Sequence, residues 1–193
     1  MQRCVLIGAL GLLLTAGACK QESRTDRATD STATSAPTDT PTGPAPLTDR
    51  LTALGLTTDS DWRGISLGDP LTKVKATETG ERFEEDAQHV GYAVEFPNLE
   101  SADFLYDYAN GTVTGIRVDL YLNTKEAVAA YQTDLSAYLT GRYGNAQAEN
   151  GTTVWAAPAG KRVSLKDVSK GKDFGLKLRI EQPGNGATTA SAR

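Results

Sequence analysis

The chain has 193 residues, two cysteines, one histidine and a formal net charge of −4. Such mild acidity leaves no cationic footprint for a nucleic acid. One histidine and so few thiols also leave no ligand set for a His/Cys zinc centre and no Cys–His nucleophile.

Residues 1–18 read as a secretory leader. Arg3 supplies a basic start, Val5 to Leu14 an apolar run, and Ala16-Gly17-Ala18 the small residues of a cleavage point. The run is too short for a bilayer span, which takes about 20 apolar residues. Cys4 leaves with the leader, so the mature chain keeps a single thiol, Cys19, and has no partner for a disulfide. Loss of Arg3 with the leader makes the mature charge −5. Residues 19–46 are dominated by Thr, Ser, Ala, Asp and Pro and have no aromatic side chain. A segment of that kind cannot bury enough apolar surface to offset the entropy of ordering, and it predicts a tether. Residues 183–193, rich in Gly, Ala, Thr and Ser, predict a frayed tail.

All the aromatic residues lie between Trp62 and Phe174, which places one domain at 47–182, large enough for a single core. Residues 47–56 predict a short helix, starting near Thr48 or Asp49 and ending near Gly55. In the stretch Trp62 to Val74, Asp69 is suited to an N-cap and Pro70 to the first helical position of a helix ending near Glu78. Glu84-Glu85-Asp86 reads as a polar loop. The alternation of Val90, Tyr92, Val94 and Phe96 then predicts a strand from His89 to Phe96.

Residues 102–122 carry two alternating runs around Asn110-Gly111, a strong hairpin signal. A two-residue turn would set Phe104 opposite Arg117. A three-residue loop Ala109-Asn110-Gly111 instead pairs Tyr108 with Thr112, Tyr106 with Thr114 and Phe104 with Ile116, so that the apolar rows coincide. The expectation is therefore a type I turn with Gly111 in a G1 bulge. Thr124 then caps a helix from Lys125 to about Tyr143, with Val128, Tyr131, Leu135, Tyr138 and Leu139 on one stripe and Gly144 just past its end. Three strands follow, Thr152 to Ala157, Lys161 to Lys166 and Phe174 to Glu181. The predicted fold is α+β: two helix-β-β-β repeats forming a mostly antiparallel sheet with helices packed on one face.

Two resemblances follow from these residues. Ala16-Gly17-Ala18-Cys19 resembles a bacterial lipoprotein signal, which implies lipidation of Cys19 and a membrane attachment through that lipid anchor. Lys20, where sorting for the inner membrane would favour Asp, implies the periplasmic side of the outer membrane. The stretch Gly64-Ile65-Ser66-Leu67-Gly68-Asp69-Pro70-Leu71-Thr72-Lys73-Val74, with Tyr143-Gly144-Asn145-Ala146 closing the later helix, resembles two groups of small envelope proteins. These are the accessory lipoprotein of the outer-membrane β-barrel assembly machine and the β-lactamase-inhibitor-type repeats. The resemblance implies non-enzymatic binding of protein or lipid at the cell envelope, and fold analogy implies no more.

Chemistry-bearing motifs are sparse. His89, at a strand start beside Val90-Gly91, has no Gly-x-Ser-x-Gly elbow to serve. Asp59-Ser60-Asp61 lacks the downstream Gly and Glu of a calcium loop and reads as a turn or cap. Glu84-Glu85-Asp86 reads as a solvated loop, and Lys161, Arg162, Lys166, Lys170 and Lys172 as a solvated hairpin edge that discourages strand addition, with contact to anionic headgroups as the alternative. No catalytic residue, metal site or cofactor is expected. The candidate binding surface is the helix-free sheet face, which by parity displays Leu105, Arg117, Asp119 and Tyr121, apolar anchors beside an Arg–Asp pair. Three functions fit: a lipid-anchored protein-binding or assembly module with an envelope partner, a structural or stress lipoprotein that binds lipid or peptidoglycan, and a periplasmic immunity or inhibitor protein. A contiguous apolar patch on the open face would favour the first, and a deep apolar cavity between helices and sheet the second.

Overall fold

The computed structural model describes residues 47–182. The leader, Cys19 with the tether at 19–46, and the tail at 183–193 lie outside the described residues. Three helices, α1 (Asp49–Ala53), α2 (Leu71–Thr77) and α3 (Lys125–Tyr143), pack with one eight-stranded sheet. The strands are β1 (Glu81–Glu85), β2 (His89–Glu95), β3 (Ser101–Ala109), β4 (Thr112–Leu122), β5 (Gln147–Glu149), β6 (Thr152–Ala156), β7 (Arg162–Asp167) and β8 (Phe174–Glu181). Their spatial order is β1-β2-β3-β4-β8-β7-β6-β5 and every pairing is antiparallel. The architecture is α+β, but each of α2 and α3 is followed by four strands, where three were expected. The additions are β1, which includes the supposed loop residues Glu84 and Glu85, and β5.

The helix starts follow local chemistry. Thr48 accepts a bond from the Leu51 N–H, and Thr124 accepts one from the Ala127 N–H at 3.1 Å. Asp69 does not cap α2: the cap position is Pro70, and the Asp69 carboxylate instead accepts from the Ser66 N–H at 2.7 Å and pairs with Lys73 at 2.7 Å. On α3 the buried residues are Val128, Tyr131, Leu135, Tyr138 and Leu139, the expected stripe. They meet Leu51 and Leu54 beside α1, Val74 of α2 and the inward rows of the sheet in one core. Those rows include Val90 and Tyr92, Phe104 and Tyr106, Ile116 to Leu122 at alternate positions, Val163 and Leu165, and Leu176, Leu178 and Ile180. Burying each such side chain contributes about 1.5–3 kcal/mol relative to exposure.

The β3–β4 hairpin corrects the expected register. Ala109 pairs with Thr112 and Tyr108 with Val113, so the turn is the two-residue Asn110-Gly111, with φ of 52° and 75°. Both values are positive, as a type I′ turn requires. The apolar rows still coincide, because the register shifts between Asp107 and Tyr108: Asp107 pairs with Gly115, leaving Thr114 as the extra residue of a bulge. Beyond it Tyr106 faces Ile116 and Phe104 faces Val118. The segment before α2 braces this same place. Gly68 N–H donates to Val113 O and Val113 N–H to Asp69 O, at 2.8 and 2.9 Å, while Leu71 N–H reaches Gly111 O.

Candidate functional site

The side chains of Leu105, Arg117, Asp119 and Tyr121 all project from the sheet face opposite the core, because their cross-strand partners alternate with the buried rows. Leu105 lies directly opposite Arg117, and Asp103 opposite Asp119. The expected Arg117–Asp119 pair is absent. Arg117 reaches back to Asp107 at 2.5 Å, and Asp119 accepts from Lys177 at 2.6 Å and from Arg179 at 3.0 Å. Neighbouring strands carry these partners: Lys177 lies directly opposite Asp119, while Asp107 and Arg179 are diagonal neighbours of Arg117 and Asp119, within reach of a long side chain. One row across the face reads Ala93, Asp103, Asp119, Lys177 and Lys166, acidic in the first half of the sheet and basic in the second.

Tyr121 is 50% exposed and donates to Asp103 Oδ2 at 3.1 Å. Burial of part of the ring and the Asp103 carboxylate push its hydroxyl up to about 12. Its cross-strand partner is Gly175, and a methyl there would stand 2.7 Å from Leu120 O. The missing side chain leaves a shallow depression of about 130 Å³, lined by Tyr121, Val168, Phe174 and Lys177 among others. A second, of about 200 Å³, lies between α3 and the end of β7. Sites for drug-sized ligands run from about 300 Å³ upward. The open face is therefore an ion-paired grid with isolated apolar side chains, and neither the contiguous apolar patch nor the deep cavity that would separate the functional readings is found at these places.

Parity alone could not reveal the polar cluster inside the domain. Trp62 and Ile65 exchange two backbone hydrogen bonds of 2.8 Å around Arg63-Gly64, both at positive φ. This tight turn sends the Arg63 side chain over the Phe104 ring, with the guanidinium 4.4 Å from the centroid. Arg63 Nε and Nη2 each donate to the fully buried Glu78 carboxylate at 3.0 Å, and Nη1 donates to Leu54 O at 2.7 Å. Tyr106 donates its hydroxyl to Glu78 Oε1, and burial, with that carboxylate beside it, holds the phenol well above its usual range. Gly55 admits the guanidinium, since a Cβ there would lie 2.6 Å from Nη1. The available signal was Tyr106 itself: an inward tyrosine needs a partner for its hydroxyl. A second buried carboxylate, Asp61, accepts from the Leu67 N–H at 2.9 Å and from Lys161 at 2.5 Å. This pairing removes Lys161 from the basic hairpin edge.

At the β1–β2 turn His89 stands between two carboxylates, with Nε2 2.9 Å from Glu84 and Nδ1 3.3 Å from Asp86. Glu84, Asp86 and His89 form the one cluster among the described residues whose donor atoms converge closely enough for a cation. Asp86 Oδ1 already accepts from the Gln88 and His89 N–H groups, which makes it the organiser of the turn. No helix among the described residues is long and apolar enough to cross a membrane. No protein-family model matches the chain, and neither the curated proteins nor the solved structures offer a significant match.

Proposed function

We propose that the chain is a lipid-anchored envelope lipoprotein, held through Cys19 on the periplasmic side of the outer membrane, whose folded domain is a non-enzymatic protein-binding or assembly module. The leader and Cys19 support the location. The observation that carries the binding role is the open sheet face, where a half-exposed tyrosine is clamped by Asp103 beside an ion-paired Arg117–Asp107 and Asp119–Lys177–Arg179 grid. An aromatic anchor with a charged rim suits a protein partner whose own charges complement the acidic and basic halves.

An internal duplication belongs to the same reading. Helix α2 precedes four strands and so does α3, and the sheet order is symmetric about the β4–β8 pair. Photo-crosslinking in intact cells tests the binding role, with the reactive residue at 121 or 105 and a control on the exposed helix position Ala137. A shared adduct from 121 and 105, lost with Asp119→Arg and missing from 137, is the expected result. The same pattern from all three positions would refute the binding face. The mass of the mature N-terminus tests the anchor, and a free thiol on Cys19 would refute it.

A further inference from the structure

Strand register brings two loops to one end of the sheet. Glu95 pairs with Ser101, Ser101 with Tyr121, Tyr121 with Gly175, and Asp167 with Leu176. The β2–β3 loop and the β7–β8 loop therefore leave the sheet at the same edge. They stand three strand spacings apart, about 14 Å. Of the four large apolar side chains exposed in the described domain, three lie here: Leu99 at 92%, Tyr121 at 50% and Val168 at 38%.

Leu99 is held out rather than merely left out. Its φ is +64°, a region that bulky L-residues avoid. Phe96 N–H donates to Glu100 O at 2.8 Å, Leu99 N–H to Phe96 O at 3.2 Å, and Asn123 Nδ2 to Asn98 O at 2.5 Å. The other loop is equally built. Lys170 and Asp173 exchange backbone bonds of 2.8 and 3.0 Å around Gly171-Lys172, and Val168 N–H donates to Gly175 O at 3.0 Å.

The β7–β8 loop and its flanks carry a local excess of cations: residues 166–177 contain four cationic and two acidic side chains, a net +2. Lys161 and Arg162, at the far end of β7, are engaged by Asp61 and Glu149. Lys166, Lys170 and Lys172 make no ion pair among the described residues, although Asp167 and Asp173 share their loop.

We propose that this end docks on an anionic phospholipid surface, with Leu99 and Val168 entering the headgroup boundary and Lys166, Lys170 and Lys172 meeting the phosphates. An apolar tip flanked by unpaired cations, with a second apolar tip about 14 Å away, supplies the two terms of interfacial binding, buried apolar surface and attraction to anionic lipid. The site rests on the envelope reading only for where such a surface would be met.

The test uses the full chain carrying Cys19→Ser, so that no acyl anchor forms, sedimented with vesicles of phosphatidylcholine with or without phosphatidylglycerol. Leader and tether are common to every sample, so the readout is the preference for anionic vesicles and its change. The parent chain is expected to prefer anionic vesicles. Lys170→Gln with Lys172→Gln should lower that binding about 30-fold, since each lysine near such a surface is worth about fivefold. Leu99→Asn should lower it about tenfold, and because Asn accepts positive φ the fold is kept, which an unchanged or raised melting temperature will show. No preference in the parent, or a variant that retains the parent's preference, overturns the proposal. Cys19 acylation is read separately by mass, so the two ideas fail independently.

Discussion

Replacing Glu78 by Gln tests how the interior tolerates charge. The side chain is fully buried, and its carboxylate accepts from Arg63 at 3.0 Å through both Nε and Nη2 and also from the Tyr106 hydroxyl. Glutamine keeps the volume but removes the negative charge. It leaves a guanidinium only 14% exposed without a counter-ion, held by the one amide oxygen that remains, by Leu54 O and by the Phe104 ring. Removing one partner of a buried pair costs about 3–5 kcal/mol. A small domain has about 5–15 kcal/mol in all, so the loss is a large share of it. Replacing both ions, Arg63→Met with Glu78→Met, removes the uncompensated charge and should cost clearly less than the sum of the single changes. Urea denaturation of the parent, the two single variants and the double variant closes a double-mutant cycle. A Glu78→Gln loss below about 1 kcal/mol, or single effects that add to within about 0.5 kcal/mol, would refute the account of an interdependent pair.

Other consequences follow from the same contacts. Burial raises Tyr92, Tyr106, Tyr121, Tyr131 and Tyr143, the third and fifth to about 12. A phenol raised on folding contributes stability that is whole below its unfolded value near 10 and is lost as pH climbs through the folded one. Stability should therefore hold to about pH 10 and fall above it, and phenolate absorbance rising at the same pH in folded and urea-unfolded chain would contradict this. Gly175→Ala forces a methyl to 2.7 Å from the Leu120 carbonyl and should cost about 1–3 kcal/mol in melting experiments. Gly91→Ala meets only the end of the exposed Phe83 ring, which can swing aside, so its cost should be smaller. Asp119→Asn leaves Lys177 and Arg179 unpaired beside Lys166 and should cost about 1 kcal/mol at low salt and less at high salt.

Much of this fold is legible from periodicity. The α3 stripe and the inward rows of β3, β4 and β8 obey spacing that any single strand or helix imposes on itself. The misses share a different cause. Strand β1 is exposed along its whole length, so Glu81-Arg82-Phe83-Glu84-Glu85 shows no apolar alternation and reads as a loop until its partner β2 is seen. The bulge at Thr114 is set by competition. Asn110-Gly111 takes the tight turn that suits strand twist, and the register error this creates is absorbed four residues later, beside Gly115 and against the Gly68–Leu71 brace. Likewise the membership of the open-face grid was legible, but not its pairing: Arg117 and Asp119 each find closer ions on adjacent strands.

The five non-glycine residues at positive φ differ in what they return to the fold. Asn110 and Asn150 occupy positive φ in Asn-Gly turns, where asparagine is tolerated, and Ala159 does so as a small residue inside the tight Pro158–Gly160 turn. Arg63 occupies it as well, and its strain is offset by the Glu78 pair, the Leu54 carbonyl and the Phe104 ring. The Gly64–Val74 stretch is similarly consumed by structure, since its backbone braces the start of β4 and Val74 fills the core. Leu99 has no such return: at φ +64° and 92% exposed, its side chain stabilises nothing inside the domain. Leu99→Asn should therefore raise stability, by up to about 1 kcal/mol of relieved strain, in urea denaturation of the full chain. A loss of stability would mean that the leucine is a packing residue after all. A gain, coupled with the loss of vesicle binding, identifies a position where the fold bears strain to present a side chain to something outside it.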